Sequence, residues 1–188
     1  MRERPFNPSR LDVRSFADRA AALEGDMPIR DLERLVASTH PESPPAADEL
    51  VHWQASGEMR SAPGGDKQPW LLLQASGRVR LTCQRCLQAV EHAMQIDHEY
   101  RFVADESTAA ALDIESDEDV LVESRSFDLP ALIEDELLLS LPLVPRHEGS
   151  CPRPLQAPPD PVAAAIELAP PEKPFAVLAR LKARKPEN

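Results

Sequence analysis

The chain has 188 residues, room for one domain with tails, and carries 21 basic against 32 acidic side chains, a formal net charge of −11. A surface this acidic is repelled by nucleic acid as a whole, so any RNA contact would need a local basic patch. The opening MRERPFNPSR has no apolar run, and no stretch of 18 apolar residues occurs, so neither a secretory signal nor a membrane-spanning helix is expected.

In chain order, SRLDVRSFADRAAALEG places Val13, Phe16, Ala20 and Leu23 at helical spacing, with Gly25 as a stop. MPIRDLERLVAS predicts a second helix, with Pro28 in its first turn and Ile29, Leu32, Leu35 and Val36 on one side. HPESPPAADE is a proline- and acid-rich loop. The period then changes to two. Odd positions are apolar in 51–59 (Val51, Trp53, Ala55, Gly57, Met59) and again in 71–83, where Leu71, Leu73, Ala75, Val79, Leu81 and Cys83 alternate with polar residues. Even positions take over in 90–102, from Val90 through Met94 and Ile96 to Phe102. These are half-buried strands of an antiparallel meander, with SAPGGDKQP as one turn. His92 and His98 fall on the apolar face and read as partly buried histidines with hydrogen-bond partners.

Residues 105–119 hold seven acids and no base, which predicts a solvated loop. DVLVES is a short strand. FDLPALIEDELLLSLP is the strongest helix signal: Asp128 can cap it, Pro130 suits its first turn, and Leu129, Leu132, Ile133 and Leu137 form its apolar stripe. Glu134, Asp135 and Glu136 read as its solvated face. Eight prolines between Cys151 and Pro174 predict a semi-extended linker. The end, FAVLARLKARK, is apolar, then basic; residues 172–188 hold five bases and two acids. The architecture expected is α+β: two N-terminal helices, an antiparallel meander and one long amphipathic helix in residues 1–150, a proline-rich linker over 151–174 and a basic amphipathic tail over 175–188.

Three cysteines without a signal point to a reducing cytoplasm, where a C-x-x-C pair is metal-binding or catalytic more often than a disulfide. Cys83 and Cys86 lie at a strand tip and form half of a zinc knuckle; zinc needs four ligands, and His147 and Cys151 in RHEGSC are the candidates for the rest. The leading reading is nonetheless that these are small residues packing at a hairpin tip, with no cofactor required; the third is a redox pair, although such a pair belongs at a helix N-terminus rather than between antiparallel strands. There is no G-x-S-x-G, P-loop or H-E-x-x-H motif, so no catalytic residue is assigned. In the tail, Phe175 would dock while Arg180, Lys182, Arg184 and Lys185 would meet phosphate or an acidic protein.

LTCQRCLQAVEH, DLPALIEDELLLSLPLVPRHEGSC and PFAVLARLK occur in that order. Together they resemble the YceD family, the large ribosomal RNA subunit accumulation proteins, over most of residues 10–185. The resemblance implies a non-catalytic role in synthesis, processing or stability of the large-subunit rRNA. It supplies no catalytic residue. It implies as partners the rRNA or a pre-ribosomal particle, reached through proteins, with no membrane and no small-molecule substrate. Some distant members carry a second C-x-x-C after the leucine-rich helix, where this chain has only His147 and Cys151, so zinc is the one cofactor to test. The rival classes are a zinc-dependent or thiol-active enzyme in rRNA processing, and a protein-binding adaptor.

Overall fold

The computed structural model describes residues 6–61, 66–115 and 118–153. Helix α1 spans Val13–Asp18, and Asp12 caps it by accepting the Ser15 N–H at 3.0 Å. It is much shorter than its apolar spacing predicts. Ala20 takes a left-handed conformation (φ 45°), the chain reverses, and Ala22–Pro28 becomes strand β1. Its alternation was present in the sequence: Glu24 and Asp26 point outward while Leu23, Gly25 and Met27 point in. Pro28 is therefore a strand end rather than a helix first turn. Beyond it, Ile29–Asp31 forms a 3₁₀ turn and α2 is only Glu33–Ala37. Ile29, Leu32 and Leu35 are nonetheless buried, as their spacing requires, whereas Val36 is half-buried.

Three long strands follow: β2 (Leu50–Ser61), β3 (Lys67–Thr82) and β4 (Ala89–Val103). These three form the expected antiparallel meander, and β1, which takes the place of expected helix, extends it at one edge in the order β1-β2-β3-β4. Val51, Trp53, Ala55, Leu71, Leu73, Ala75, Val79 and Leu81 are buried, as are Met94, Ile96, Tyr100 and Phe102 of β4, so the period-two reading places the correct face inward. Gly57 lets α1 approach this face. A Cβ there would lie 2.6 Å from Phe16 Cδ1 and 3.0 Å from the Ala17 backbone. His98 stacks on Tyr100 with ring centroids 4.9 Å apart.

The sheet departs from a pure meander at its far edge. Glu106–Glu115, read as a loop from its charge, is helix α3. Ala109, Ala110, Ala111 and Leu112 are strong helix formers, and Asp105 caps them through the Thr108 N–H at 3.0 Å. The Ser107 hydroxyl, the Thr108 N–H and the Thr108 hydroxyl hold the Asp105 carboxyl at about 2. This helix is the crossover that parallel pairing requires, and β5 (Asp119–Val122) returns parallel to β4, Tyr100 opposite Asp119. His98 Nε2 sits 2.5 Å from Asp119 Oδ2, so the expected histidine partner is supplied by β5.

Helix α4 (Leu129–Leu139) starts as predicted, with Asp128 accepting the Ala131 N–H at 3.1 Å. Leu129, Ile133 and Leu137 are fully buried and Leu132 half-buried in a core shared with α1, α2 and the inner sheet face. The outer sheet face is mostly polar, apart from Leu72 and from Trp70, over whose ring Arg60 lies. Gln54, Gln74 and Asp97 form one cross-strand row on it, with Gln74 Nε2 donating to Asp97 Oδ1 at 3.1 Å. The result is a two-layer α+β unit with a mixed five-stranded sheet. Residues 154–188, which hold most of the expected linker and all of the tail, lie outside the described residues.

Candidate metal centre

The turn between β3 and β4 is the C-x-x-C segment, at the strand tip its flanking patterns predict. The Cys83 N–H donates to the Gln88 carbonyl and the Leu87 N–H to the Cys83 carbonyl, each at 2.9 Å, which closes a tight knuckle. Closure requires a left-handed residue, and Leu87 supplies it with φ 58°. Both thiols face inward: Cys83 and Cys86 are buried.

The second arm comes from the chain after α4. The Gln84 N–H donates to the Pro145 carbonyl at 2.8 Å and docks residues 145–151 against the knuckle. His147 and Cys151 thereby reach the two buried thiols, and one ligand atom from each of the four residues lies within 4.8 Å of every other. Cys83 Sγ is 3.9 Å from Cys151 Sγ, and Cys86 Sγ is 3.6 Å from His147 Nδ1. A tetrahedral zinc ion with ordinary bond lengths sets sulfur–sulfur edges of about 3.8 Å and sulfur–nitrogen edges of about 3.5 Å. The residues present therefore fit zinc in both chemistry and spacing.

The imidazole is oriented for the role. His147 Nε2–H donates to the Ala89 carbonyl at 3.1 Å, which leaves the Nδ1 lone pair directed at the thiols. The thiols differ from one another. Burial acts to raise Cys83, but the backbone N–H groups of Arg85, His147 and Cys86 and the His147 ring outweigh it and hold the thiol at about 5. Cys86 goes the other way: burial and the neighbouring sulfurs of Cys151 and Cys83 push it up against a single Gln88 N–H. All three cysteines are free thiols.

Two supporting residues were not assigned from sequence. Arg85 reaches the second arm, donating from Nε to Cys151 Sγ at 2.9 Å. His40, only 6% exposed, donates from Nε2 to the Leu87 carbonyl at 3.2 Å while its Nδ1 accepts the Glu42 N–H, so it braces the strained corner of the knuckle from 47 residues away. The arginine inside the C-x-x-C motif was a usable signal; a single histidine in a proline-rich loop was not. The expected Cys83, Cys86, His147 and Cys151 are all brought together, whereas Phe175, Arg180, Lys182, Arg184 and Lys185 lie outside the described residues. The knuckle joins antiparallel strands, not a strand to a helix, so it lacks the helix N-terminus of a thioredoxin-like pair.

Fold and centre together define a class: small two-layer α+β proteins whose central hairpin carries a Cys3His cluster built from two distant segments. The model of one family, described as large ribosomal RNA subunit accumulation protein YceD, matches residues 71–182, a span that includes the knuckle, α4 and the second arm. A Haemophilus influenzae protein of the same description is 35% identical over 121 residues, covering 61% of this chain and 68% of the relative. The chain belongs to the YceD family. No solved structure gives a significant match.

Proposed function

We propose that this protein is a non-catalytic, cytoplasmic factor that supports accumulation of the large-subunit (23S) rRNA, and that Cys83, Cys86, His147 and Cys151 hold a structural zinc ion. Family membership carries the rRNA role, which the relative's description states for that protein. The closed ligand set supports the structural reading: four protein side chains fill four tetrahedral positions, and none is left open for a water or substrate. Zinc, when bound, would crosslink the β3–β4 turn to the segment after α4. Cys83 and Cys86 arrive on a preformed turn, His147 with its tautomer set by Ala89, and Cys151 under the side chain of Arg85. The acidic surface favours work through protein partners on a pre-ribosomal particle over broad contact with RNA. Among the described residues no helix is long and apolar enough to cross a membrane.

The test is complementation of a deletion strain. The wild-type chain should restore the ratio of 23S to 16S rRNA, and Cys83→Ser with Cys86→Ser should restore it only in proportion to the folded protein that remains. Full loss of function with normal protein levels would instead favour the rival thiol-based activity, for which the low pKa of Cys83 is the supporting observation.

A further inference from the structure

We propose that Arg85 is the clasp and counter-charge of the Cys3His centre, fastening the second ligand arm to the knuckle through three acceptors at once. The inference rests on the zinc reading above. The two arms are about sixty residues apart in sequence, and the second is a short exposed loop: Glu148, Gly149 and Ser150 are all solvent-facing. Such a loop has little packing of its own to hold it in register. Arg85 supplies what packing does not. Its Nε donates to Cys151 Sγ at 2.9 Å, and one terminal nitrogen donates to the carbonyls of His147 at 3.1 Å and Gly149 at 2.5 Å.

The loop is shaped for this fork. Gly149 adopts φ 72°, a left-handed conformation, and a Cβ there would meet nothing within 4 Å. Its glycine is thus needed for backbone conformation, not for space; that turn brings the Gly149 carbonyl under the guanidinium. A planar guanidinium can serve a sulfur and two carbonyls together, whereas a lysine ammonium carries the charge without the fork.

The charge has its own consequence. Zinc with three thiolates and a neutral imidazole carries a net −1, and the adjacent guanidinium brings the cluster to zero. A charge-assisted hydrogen bond to Cys151 also draws electron density from that sulfur. Outer partners of this kind typically change metal affinity by about 10–100-fold.

The experiment titrates the full chain with cobalt(II) and displaces it with zinc under a competing chelator, for the wild type, Arg85→Gln and Arg85→Lys. The wild type should bind one equivalent with the intense visible bands of a tetrahedral thiolate site. Arg85→Gln should bind about 10–100-fold more weakly, with its thiolate-to-cobalt band moved to lower energy because Cys151 has lost its donor. Arg85→Lys should recover part of the affinity. A Gln variant within two-fold of wild type and with an unmoved band would overturn the proposal, as would complete recovery by lysine, which would assign the effect to charge alone. If Arg85→Gln does not fold, the lysine variant decides by the same two readouts. A wild-type chain that takes up no cobalt or zinc would remove the zinc reading and this inference together, an outcome distinct from failure of the variants.

Discussion

The carboxylate of Glu134 in α4 accepts the backbone N–H of Arg34 at 2.8 Å, and so closes the first turn of a helix one hundred residues away. It accepts the Leu35 N–H as well, at 3.2 Å, while its other oxygen pairs with the Arg34 guanidinium at 2.9 Å. Helix α2 has no side-chain cap of its own. Glu134 therefore does not belong to a solvated face, as its place in a run of three acids suggests; its side chain is only 13% exposed, and that of Glu136 is similarly covered. Only Asp135 is exposed.

Glu134→Ala is therefore expected to lower stability by about 0.5–2 kcal/mol, the usual range for a lost N-cap, whereas Asp135→Asn should leave the urea midpoint nearly unchanged. Burial opposes ionisation of Glu134, but Arg34 and the two N–H groups outweigh it and hold the carboxyl below its ordinary value. The sign follows: the contribution is complete above the ordinary glutamate range and fades as pH falls through the folded-state value. The difference between wild type and Glu134→Ala should shrink in acid. An undiminished difference well below the glutamate range would contradict the cap.

Purified protein should carry close to one zinc per chain, and Cys83→Ser with Cys86→Ser should carry none; metal analysis and a chelator-induced fall in melting temperature check both. In metal-free protein the Cys83 thiol sits at about 5 against an ordinary 9. Because the folded value is depressed, stability from this thiolate is full above pH 9, declines between 9 and 5, and is gone below about 5. Absorbance of the Cys83 thiolate near 240 nm in the folded apo protein should instead hold steady as pH falls from 9 and drop with a midpoint at about pH 5, the folded-state value. Metal release on acidification should accompany it, since protons compete for the ligands.

Leu87 is 53% exposed and left-handed, so its side chain gains little from packing while its backbone carries strain. Leu87→Gly is expected to stabilise the protein by about 1 kcal/mol, the αL penalty less the added flexibility of glycine. Thermal unfolding measures it. A clear destabilisation would mean that the leucine side chain has a packing role its exposure does not reveal.

Gly57→Ala should destabilise by about 1–3 kcal/mol, the range for overpacking. Its methyl would meet Phe16 at 2.6 Å and, less yieldingly, the α1 backbone at 3.0 Å. Gly149→Ala provides the contrast, since strain there is conformational and no atom is approached. Urea unfolding of the two variants, with zinc bound and removed, should show the Gly57 cost in both states.

Which residues of β2, β3 and β4 face inward was determined by the sequence alone, because burial of one sheet face imposes a period of two that any reader of the chain can see. The same holds for α4, where Asp128, Pro130 and the stripe through Leu137 each act within the helix they define, and for the position of Cys83 and Cys86 at a hairpin tip. Local signals failed where two of them competed. Helical apolar spacing overrode the weaker alternation of Ala22–Pro28, and a run of acids concealed the alanines of α3; the parallel return of β5 depends on that helix and was lost with it. What only the tertiary structure decided is everything that joins distant segments: Glu134 on α2, His40 on the Leu87 corner, Arg85 on the His147–Cys151 loop, and the meeting of the two ligand arms. His147 and Cys151 were candidates by residue type, but ligand chemistry names which atoms can bind a metal and says nothing of their separation. That separation is set by where α4 docks on the sheet, a property of the whole core and not of the four ligands.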